Sequence, residues 1–461
     1  MTTTPFTQYL PREALDWIEA QAAGTITALS RHVARREAWK VELSLASGGN
    51  AHYFFRLDRN PVAGARVSLE REARICKALQ STDIPAPAVA GWDAAQQFAL
   101  FEYVKGRSDI DNITDTEQQR AVMEDFIDAI ARLHLLPPAS LQLEDVLGGH
   151  ALSPKQCALD DLNGQVAQFA DFLAGYHDPL LHYAVQWLRR FAPTSIAHVA
   201  LVQGDTGPVN FMFDQRRVTA LVDWEWGHWG DPMEDLGNIC VREFWNPSGG
   251  LDGLFNHYAE RSGIPYHADA VRYYRVQQNV RGMIPIHAVC QSRGMRESYA
   301  WYLAYREVGD RATCEALAQA MGVALEKPQL PEYAKPSDPL VHAALLGLSR
   351  DVAPELQTEF ARSRLTDIEI LVECQHRVQQ FAGEIHAQEA QEIAALLQRP
   401  ERSYEESNRA LCQAIADERL HDERVIAYLA RRAYRREWLY WPVTRLYPQR
   451  SWSAIDNSEN D

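Results

Sequence analysis

The sequence predicts an α+β fold in which a small β-rich segment precedes a long and mostly helical remainder. Short segments rich in aromatic and β-branched residues cluster within residues 1–104, whereas apolar residues at helical spacing dominate from residue 105 onward. A proline-rich segment at 326–338 then interrupts the helical pattern. We therefore predict a β-rich lobe at 1–104, a helical lobe at 105–330, an all-α C-terminal domain at 331–450 and a disordered tail at 451–461.

The β-rich lobe is expected to be a small sheet that carries one packed helix. Ser47-Gly48-Gly49-Asn50 has the composition of a hairpin turn between two strands. Leu69, Ala73 and Cys76 follow one helical stripe. The predicted elements are, in order, a helix at 10–25, strands at Ala38–Ala46 and Ala51–Asp58, a helix at Val67–Gln80 and a strand at Phe98–Val104.

Helical spacing continues through the rest of the chain. Ala121–His134 predicts an amphipathic helix of the second lobe. Beyond the proline-rich segment, Leu365–Ile385 keeps a sustained spacing of three to four residues, and Ser407–Leu429 repeats that kind of pattern. These two stretches predict a small C-terminal domain built only of helices.

The composition excludes several classes of protein. The 461 residues are 46% hydrophobic and carry a net charge of −16, and this acidic balance argues against nucleic acid as a partner. No apolar run approaches the roughly 20 residues that span a bilayer, and the N-terminus lacks the pattern of a signal peptide. The seven cysteines are scattered without a C-x-x-C pair, which is typical of reduced thiols in a cytoplasmic protein.

One stretch, Leu201–Gly237, has the order of polar residues that phosphoryl transfer from a nucleoside triphosphate requires. Asp205 follows an apolar strand, on a loop where catalytic groups tend to lie. Asn210 begins a short strand, and a turn at Gln215-Arg216-Arg217 returns the chain to Asp223. The hairpin should therefore bring Asn210 and Asp223 together at its open end, as oxygen ligands for Mg²⁺. Each residue alone is better explained as a turn or cap residue, and only the ordered set favours the catalytic interpretation.

The motifs of this stretch resemble those of the aminoglycoside phosphotransferase and choline-kinase-like family, over about residues 20–325. The most similar branch is the kinase domain fused to, or encoded beside, acyl-CoA dehydrogenases. An Asp-Trp-Glu triplet separates the family from protein kinases, which have Asp-Phe-Gly there. The motifs that carry the resemblance are Gly204-Asp205 with Asn210, Val222-Asp223-Trp224-Glu225, Gly230-Asp231-Pro232 and Asp235-Leu236.

The resemblance implies a bilobal, protein-kinase-like fold with ATP between the lobes. It makes Asp205 the catalytic base or substrate-orienting acid, and it makes Asn210 and Asp223 the Mg²⁺ ligands. Asp231 and Asp235 are then expected to brace the loop. The implied activity is that of a small-molecule kinase, an ATP- and Mg²⁺-dependent phosphotransferase with an alcohol group as acceptor.

The chain departs from the family pattern at two places. Gln203 stands where the family often has a histidine that braces the loop, and a glutamine amide can still donate and accept hydrogen bonds. The phosphate-binding lysine is missing, and Arg56 is the cation at the corresponding strand, with Glu72 as its partner on the following helix. Arginine binds phosphates through two donors, so the exchange is chemically reasonable. Individually, Arg56 and Glu72 are also explained as surface charges.

Two alignments of the first lobe remain open. In the favoured one, Ala34-Arg35-Arg36 forms the loop over the phosphates and Arg56 is the cation. In the other, Gly48-Gly49 forms that loop and Arg66 is the cation. In either case Glu102 and Tyr103 form the hinge that binds adenine through backbone groups, although an ordinary buried strand predicts much the same sequence.

The acceptor pocket is expected to come from the helices after Asp235. Because many of their residues are arginines and aromatics, an anionic acceptor such as a hydroxyacyl-CoA thioester fits better than a cationic antibiotic. The alternative is that the arginines are solvated and the aromatics are core residues. The set comprises Arg242, Trp245, Tyr258, Arg272, Tyr273, Tyr274, Arg275, Arg281, Arg293, Arg296, Tyr299, Trp301, Tyr302 and Arg306.

The C-terminal domain adds a weaker resemblance. Asn408-Arg409-Ala410-Leu411-Cys412 and the preceding long helix resemble a small helical domain, of unclear role, that accompanies such kinases in acyl-CoA catabolism. By analogy it caps or completes the acceptor site. Two other functions stay open, namely an aminoglycoside or macrolide kinase and a nucleotide-binding pseudokinase scaffold. The sequence does not fix the oligomeric state, and a homodimer stays open.

Overall fold

The computed structural model describes residues 6–32, 37–59, 68–292, 298–332, 338–420, 423–448 and 450–455. The chain divides into two compact units. Unit 1 comprises Met1–Ala158, Pro193–Val271 and Ser453–Asp461, and unit 2 comprises Leu159–Ala192 and Arg272–Trp452. The two units do not coincide with the domains that were predicted to end at residues 104, 330 and 450. Those domain boundaries stay predictions.

A five-stranded antiparallel sheet with the order β1-β2-β3-β5-β4 opens unit 1. The predicted hairpin is present, because Trp39 on the second strand faces Phe55 on the third. Helices α1 (Arg12–Ala22) and α2 (Leu69–Leu79) accompany the sheet. The strands are β1 (Gly24–His32), β2 (Glu37–Leu45), β3 (Asn50–Leu57), β4 (Val89–Asp93) and β5 (Phe98–Glu102).

Strands β1 and β4 were not predicted from the sequence. The helix expected at 10–25 ends at Ala22, because Ala23 adopts the left-handed conformation with φ 49° and caps it. Strand β1 begins directly afterwards and pairs with β2 along its length. The first strand therefore occupies part of the stretch expected to be helical.

The core of this sheet is aromatic and aliphatic. Leu15 and Ile18 of α1 join one buried cluster with Phe55 and Leu100 of the sheet. Trp17 packs against this cluster, with its ring 6.1 Å from that of Phe55. Burying a large apolar side chain contributes about 1.5–3 kcal/mol, so this cluster fixes β3, the strand that carries Arg56.

Beyond the sheet the chain is mostly helical, with four short strands. The strands are β6 (Ala200–Val202), β7 (Phe211–Asp214), β8 (Arg217–Leu221) and β9 (His228–Gly230). The helices are α3 (Thr116–His134), α4 (Pro138–Leu141), α5 (Glu144–Leu147), α6 (Pro154–Gln168), α7 (Ala170–Gly175), α8 (Pro179–Arg190), α9 (Pro232–Trp245), α10 (Leu254–Ser262), α11 (Ala268–Gln291), α12 (Tyr299–Met321), α13 (Pro339–Gly347), α14 (Glu359–Leu397), α15 (Tyr404–Ala416), α16 (Glu423–Leu439) and α17 (Trp441–Thr444).

Two short antiparallel strand pairs in unit 1 flank the loop between β6 and β7, which carries Asp205. Strand β6 pairs with β9, and β7 pairs with β8 in the hairpin that was predicted to join Asn210 to Asp223. Phe126 of α3 stacks on Phe211 of β7 at 4.4 Å between ring centroids. The segment after β5 joins the same hairpin, since Arg107 donates its backbone N–H to Phe213 at 3.0 Å. Gly106 permits this approach, because a Cβ there would lie 2.6 Å from the Phe213 oxygen.

Unit 2 is built from helices, and buried ion pairs join residues on both sides of position 330. Arg432 of α16 lies 3.1 Å from Asp178, the N-cap of α8. Arg436 lies 2.9 Å from Glu307 of α12. The predicted all-α character of the C-terminal segment is confirmed, and within unit 2 its helices pack as part of the same compact body.

Trp452, in the tail that was predicted to be disordered, packs within unit 2. The predicted disordered tail starts at residue 451, but Trp452 is packed, because its indole N–H donates to Ala312 at 3.0 Å and Arg275 lies over its ring. Residues 456–461 of that tail lie outside the described residues. Among the described helices, none combines the length and the apolar character that crossing a bilayer requires.

Candidate active site

The loop between β6 and β7 is held in strained backbone conformations. Gly204 has φ 80° and Gly207 has φ 137°, values that favour glycine. Val209 has φ 72°, which is rare for a β-branched residue. Strain of this kind persists where the surrounding structure imposes it, and it clusters at functional sites. The loop therefore has the backbone expected of a site that positions a side chain.

Asp205 lies on this loop with both carboxylate oxygens engaged. Arg242 of α9 donates from Nε to Oδ1 at 2.8 Å and from Nη2 to Oδ2, in the two-pronged geometry that arginine makes with carboxylates. Asn210 donates from Nδ2 to Oδ2 at 3.0 Å and to the backbone carbonyl of Asp205 at 2.6 Å. Only 17% of the Asp205 side chain is exposed. The structure therefore brings Asp205 and Asn210 into direct contact.

Asp235 braces the start of the loop. Its carboxylate accepts hydrogen bonds from the backbone N–H of Gln203 at 3.0 Å and of Gly204 at 3.1 Å, and from the Thr206 hydroxyl. His134 of α3 contacts the same carboxylate at 3.1 Å. Burial alone would raise the pKa of Asp235, but the hydrogen bond with His134 and the loop donors lower it. The expected bracing role of Asp235 is confirmed.

Asp231 has the other bracing role that the sequence predicted. Its side chain accepts from the backbone N–H of Met233 at 3.0 Å and caps the N-terminus of α9. Helix α9 carries both Asp235 and Arg242, so this cap fixes the element that holds the loop. His134 was not predicted, because no local signal links residue 134 to residue 235.

The hairpin places Asn210 and Asp223 at its open end. The backbone N–H of Val222 donates to the carbonyl of Asn210 at 3.0 Å, so the two site residues flank the same end of the pair. Asp223 adopts a left-handed conformation with φ 61°, uncommon outside glycine although asparagine and aspartate tolerate it best. Gln203 donates from Nε2 to the Val222 carbonyl at 2.6 Å. The glutamine thus ties the Asp205 loop to the Asp223 end of the hairpin.

Arg56 joins the first sheet to the hairpin. Its Nη1 lies 2.6 Å from Glu72 and 3.2 Å from Asp223, and its Nη2 lies 3.3 Å from Glu225. Only 12% of the arginine side chain is exposed. Burial alone would lower the pKa of Arg56, but the surrounding carboxylates raise it above its ordinary value. Burial raises the pKa of Glu72 to about 7, against the opposing effect of Arg56.

This arrangement favours the first of the two alignments. Arg56 and Glu72 are partners, as that alignment requires, and Glu225 of the Asp-Trp-Glu triplet joins them. Ala34-Arg35-Arg36 and Arg66 lie outside the described residues. Glu225 belongs to the Asp-Trp-Glu triplet, and its contact with Arg56 gives it a role that was not predicted from the sequence.

The predicted hinge residues lie at the end of β5. Glu102 donates its backbone N–H to Ala88 at 2.7 Å, and Tyr103 donates its own to His52 at 3.0 Å. Lys40 lies 5.2 Å from the centroid of the Tyr103 ring. Since both backbone donors are engaged within the sheet, recognition of adenine here would depend on other backbone groups of the segment.

The donors at the hairpin end fit a divalent cation. The Asn210 nitrogen is committed to Asp205, so its amide oxygen is the group that it offers to a metal. Asp223 offers a carboxylate on a side chain that is 36% exposed. Carboxylate and amide oxygens are ligands suited to Mg²⁺. The residues present therefore fit a magnesium ion at Asn210 and Asp223.

The arginine-lined acceptor pocket is not supported for the described residues of unit 2. Arg281 is 1% exposed and lies 2.8 Å from Asp161. Arg306 is 5% exposed and pairs with Glu307. Each guanidinium is buried against a carboxylate, with Glu307 shared between Arg306 and Arg436, so neither is exposed to an anionic ligand. Arg293 and Arg296 lie outside the described residues, and Arg242 differs because it contacts Asp205.

Comparison with known proteins decides the family. The family model described as the phosphotransferase enzyme family matches residues 34–273, more than half of the chain. The chain belongs to the phosphotransferase enzyme family. The match covers the loop, the hairpin and α9, so the predicted class of enzyme, a small-molecule kinase, is confirmed.

Two relatives are acyl-CoA dehydrogenase family members, the proteins whose associated kinase domains the sequence resembles. Human acyl-CoA dehydrogenase family member 11 is 26% identical over 228 residues, which cover 47% of this chain and 28% of that protein. Mouse acyl-CoA dehydrogenase family member 10 is 26% identical over 255 residues, which cover 50% of this chain and 23% of that protein. The predicted resemblance to kinase domains associated with acyl-CoA dehydrogenases is confirmed. The phosphotransferase spans only about a quarter of the length of these relatives.

A solved structure shows the fold. The putative aminoglycoside phosphotransferase of Ralstonia eutropha JMP134 is 21% identical, with a TM-score of 0.51, over 67% of this chain and 97% of that chain. At this identity the likeness concerns the fold alone. It confirms the predicted α+β, protein-kinase-like fold class, to which the C-terminal helices are added.

Proposed function

We propose that this phosphotransferase transfers the terminal phosphoryl group of ATP, with Mg²⁺, to the hydroxyl of a hydroxyacyl-CoA or a related hydroxy acid. One observation carries the proposal. Asp205 contacts Asn210, which lies beside Asp223 at the hairpin end, and Asp223 contacts Arg56. An acid, two oxygen ligands and a buried cation are thus linked in one unit, in the combination that phosphoryl transfer uses.

The residues divide the work between positioning and charge. Asp205 accepts a hydrogen bond from the acceptor hydroxyl and aligns it, while Asn210 holds the acid in place. Asn210 and Asp223 offer the oxygens that hold the metal. Arg56, fixed by Glu72, offsets negative charge on the non-transferred phosphates. Mg²⁺-ATP, when bound, supplies the transferable phosphoryl group and the cation that offsets its charge. The rate enhancement then comes from alignment and electrostatics.

The class of acceptor rests on two supports. The relatives that match this chain are acyl-CoA dehydrogenase family members, which suggests a substrate from acyl-CoA chemistry. The cation nearest to Asp205 is Arg242, and a positive group at this position suits an anionic acceptor better than a polycationic aminoglycoside.

The seven cysteines are all buried thiols, which supports a cytoplasmic enzyme.

The test is ADP release by the full chain with ATP and Mg²⁺, across hydroxyacyl-CoAs, free hydroxy acids, aminoglycosides and macrolides. We expect stimulation by the first two groups. Stimulation by aminoglycosides or macrolides alone would replace the proposed acceptor with an antibiotic. ATP binding without turnover on any acceptor would favour a pseudokinase scaffold instead.

A matched pair of variants separates catalysis from folding. Asp205→Asn should lose acceptor-stimulated ADP release by a factor of about 10²–10⁴, while nucleotide binding is retained. Asp214→Asn makes the same chemical change at an exposed residue at the turn end of β7. It should behave like the wild type. Equal activity in both variants would remove Asp205 from the reaction.

A further inference from the structure

Helix α9 is shaped to bring Arg242 against the Asp205 loop. Gly207 lies on that loop, and a Cβ at this position would lie 2.6 Å from the Cβ of Arg242. With φ 137°, residue 207 also has a backbone conformation that favours glycine. The loop and the arginine therefore meet through a close approach that the sequence itself permits, and the contact is part of the architecture.

Arg242 occupies part of the hydrogen-bonding capacity of Asp205 on which an acceptor hydroxyl depends. A carboxylate offers about four lone-pair directions. Arg242 takes one direction on each oxygen, and Asn210 takes another on Oδ2. A hydroxyl that is to be aligned by Asp205 must therefore share the carboxylate with Arg242 or displace it.

Both partners are within reach of a ligand. The Arg242 side chain is 25% exposed and that of Asp205 is 17% exposed. Arg242 differs in this respect from Arg281 and Arg306, which are buried in ion pairs of unit 2. Since neither side chain is fully buried, an anionic ligand can reach the guanidinium and exchange with the Asp205 carboxylate as its partner.

We propose that Arg242 is a specificity-determining residue that binds an anionic group of the acceptor, a carboxylate or a phosphate. The anionic group takes the guanidinium while the hydroxyl of the same molecule takes Asp205, so each partner of the ion pair gains a ligand group. Hydroxyl compounds that place an anionic group on Arg242 while their hydroxyl lies at Asp205 are then selected, and cationic ones are repelled. A hydroxy acid meets this condition through its carboxylate, and a hydroxyacyl-CoA meets it only if one of its phosphates reaches the guanidinium. The inference rests on the proposed function, because Asp205 is taken as the acid that aligns the hydroxyl.

The test measures binding, so that it does not depend on turnover. Isothermal titration calorimetry of the full chain saturated with Mg²⁺-ADP uses two matched pairs of probes. The carboxylate pair is 3-hydroxypropanoate and its uncharged amide. The phosphate pair is glycerol 3-phosphate and glycerol. In the wild type, the charged member of at least one pair should bind about tenfold more tightly than its uncharged partner, and the pair that shows it identifies the anion.

The Asp205→Asn and Arg242→Gln variants should change the affinity for the charged probe in opposite directions. Asp205→Asn removes the competing carboxylate and frees Arg242, so the charged probe should bind about tenfold more tightly than in the wild type. Arg242→Gln should abolish the preference for the charged probe, alone and combined with Asp205→Asn. Arg242→Lys keeps the positive charge and should retain part of the preference for the charged probe. It replaces Arg242→Gln in the test if the glutamine variant does not fold.

Two results would overturn the inference. One is an unchanged or lower affinity for the charged probes in Asp205→Asn. The other is a charge preference that survives in Arg242→Gln. The failure of the proposed function looks different, because the wild type would then show no acceptor-stimulated ADP release whatever the binding data show.

Discussion

The side-chain amide of Gln203 donates to the backbone carbonyl of Val222 at 2.6 Å, and this bond ties the residue before the Asp205 loop to the residue before Asp223. Asp205 follows strand β6, and Asp223 follows strand β8. Gln203 therefore fixes the spacing between the two functions of the site. The glutamine therefore supplies the brace that the family resemblance implied for a histidine at this position.

Replacing Gln203 by leucine should reduce the turnover number about tenfold, because the hydrogen bond that holds the two loops in register is lost. A buried carbonyl left without a donor costs roughly 1–3 kcal/mol. The measurement is acceptor-stimulated ADP release with thermal unfolding of the same samples. Gln203→His is the matched control, which we expect to keep most of the activity. A leucine variant with full turnover would show that the spacing does not depend on this bond.

Arg56 should be essential for the stability of unit 1 as well as for nucleotide use. Arg56→Met leaves Glu72 and Glu225 buried without their cation, and breaking a buried pair costs roughly 3–5 kcal/mol. The control is Arg59→Met, since Arg59 pairs with Glu37 near the surface and is 46% exposed. It should cost about 1 kcal/mol or less. Urea unfolding measures both, and similar losses would refute the assignment of Arg56 as a buried structural and functional cation.

The lowered pKa of Asp235 makes stability depend on pH in a defined direction. A carboxyl group whose pKa is depressed by folding stabilises the native state above the unfolded pKa of about 4, and this contribution is lost as the pH falls through the native pKa. Asp235→Asn should be less stable than the wild type at pH 7, and the difference should shrink as the pH falls below about 4. Chemical unfolding at a series of pH values gives the result. A difference that stays constant would mean that the ionised carboxylate adds no stability.

The helices after residue 330 should be required for the folding of unit 2. Arg432→Met leaves Asp178 buried without its partner, at a cost of roughly 3–5 kcal/mol, because these side chains are 5% and 3% exposed. Arg419→Met, in an exposed pair with Asp417, is the control and should cost about 1 kcal/mol or less. A chain ending at residue 330 should lack the calorimetric unfolding transition of unit 2, whereas unit 1 lies almost entirely within the retained residues. A truncated chain that keeps the unit 2 transition would contradict this account of the ion pairs.

Local chemistry made much of the site predictable. The hairpin between β7 and β8 and the loop that carries Asp205 follow from turn residues, apolar strands and motif order. The partnership of Arg56 with Glu72 was implied by the family resemblance, and the structure contains it. Strand β1 was missed because the predicted helix was extended past Gly24, although a glycine commonly ends a helix and the β-branched Thr25, Ile26 and Thr27 favour a strand. Its pairing with β2 depends on tertiary context, which commonly overrides local propensity.

Contacts between residues far apart in the sequence were also not predicted. Arg242 and Asp205 are 37 positions apart, and His134 and Asp235 are 101 apart. No spacing rule predicts such pairs. The arginines of α11 and α12 were assigned either to an acceptor pocket or to solvated helix faces. Their burial was not predicted, because arginine is rarely buried unless paired. The structure gives Arg281 and Arg306 carboxylate partners, and this changes their role from ligand binding to packing.

Phosphorus NMR of the products formed from ATP, Mg²⁺ and a hydroxyacyl-CoA tests the central claim most directly. With the wild type we predict ADP and a new phosphate monoester on the acceptor hydroxyl, and we predict no monoester with Asp205→Asn. A spectrum that contains only ADP and inorganic phosphate, or a monoester that forms equally well without the Asp205 carboxylate, would contradict the account.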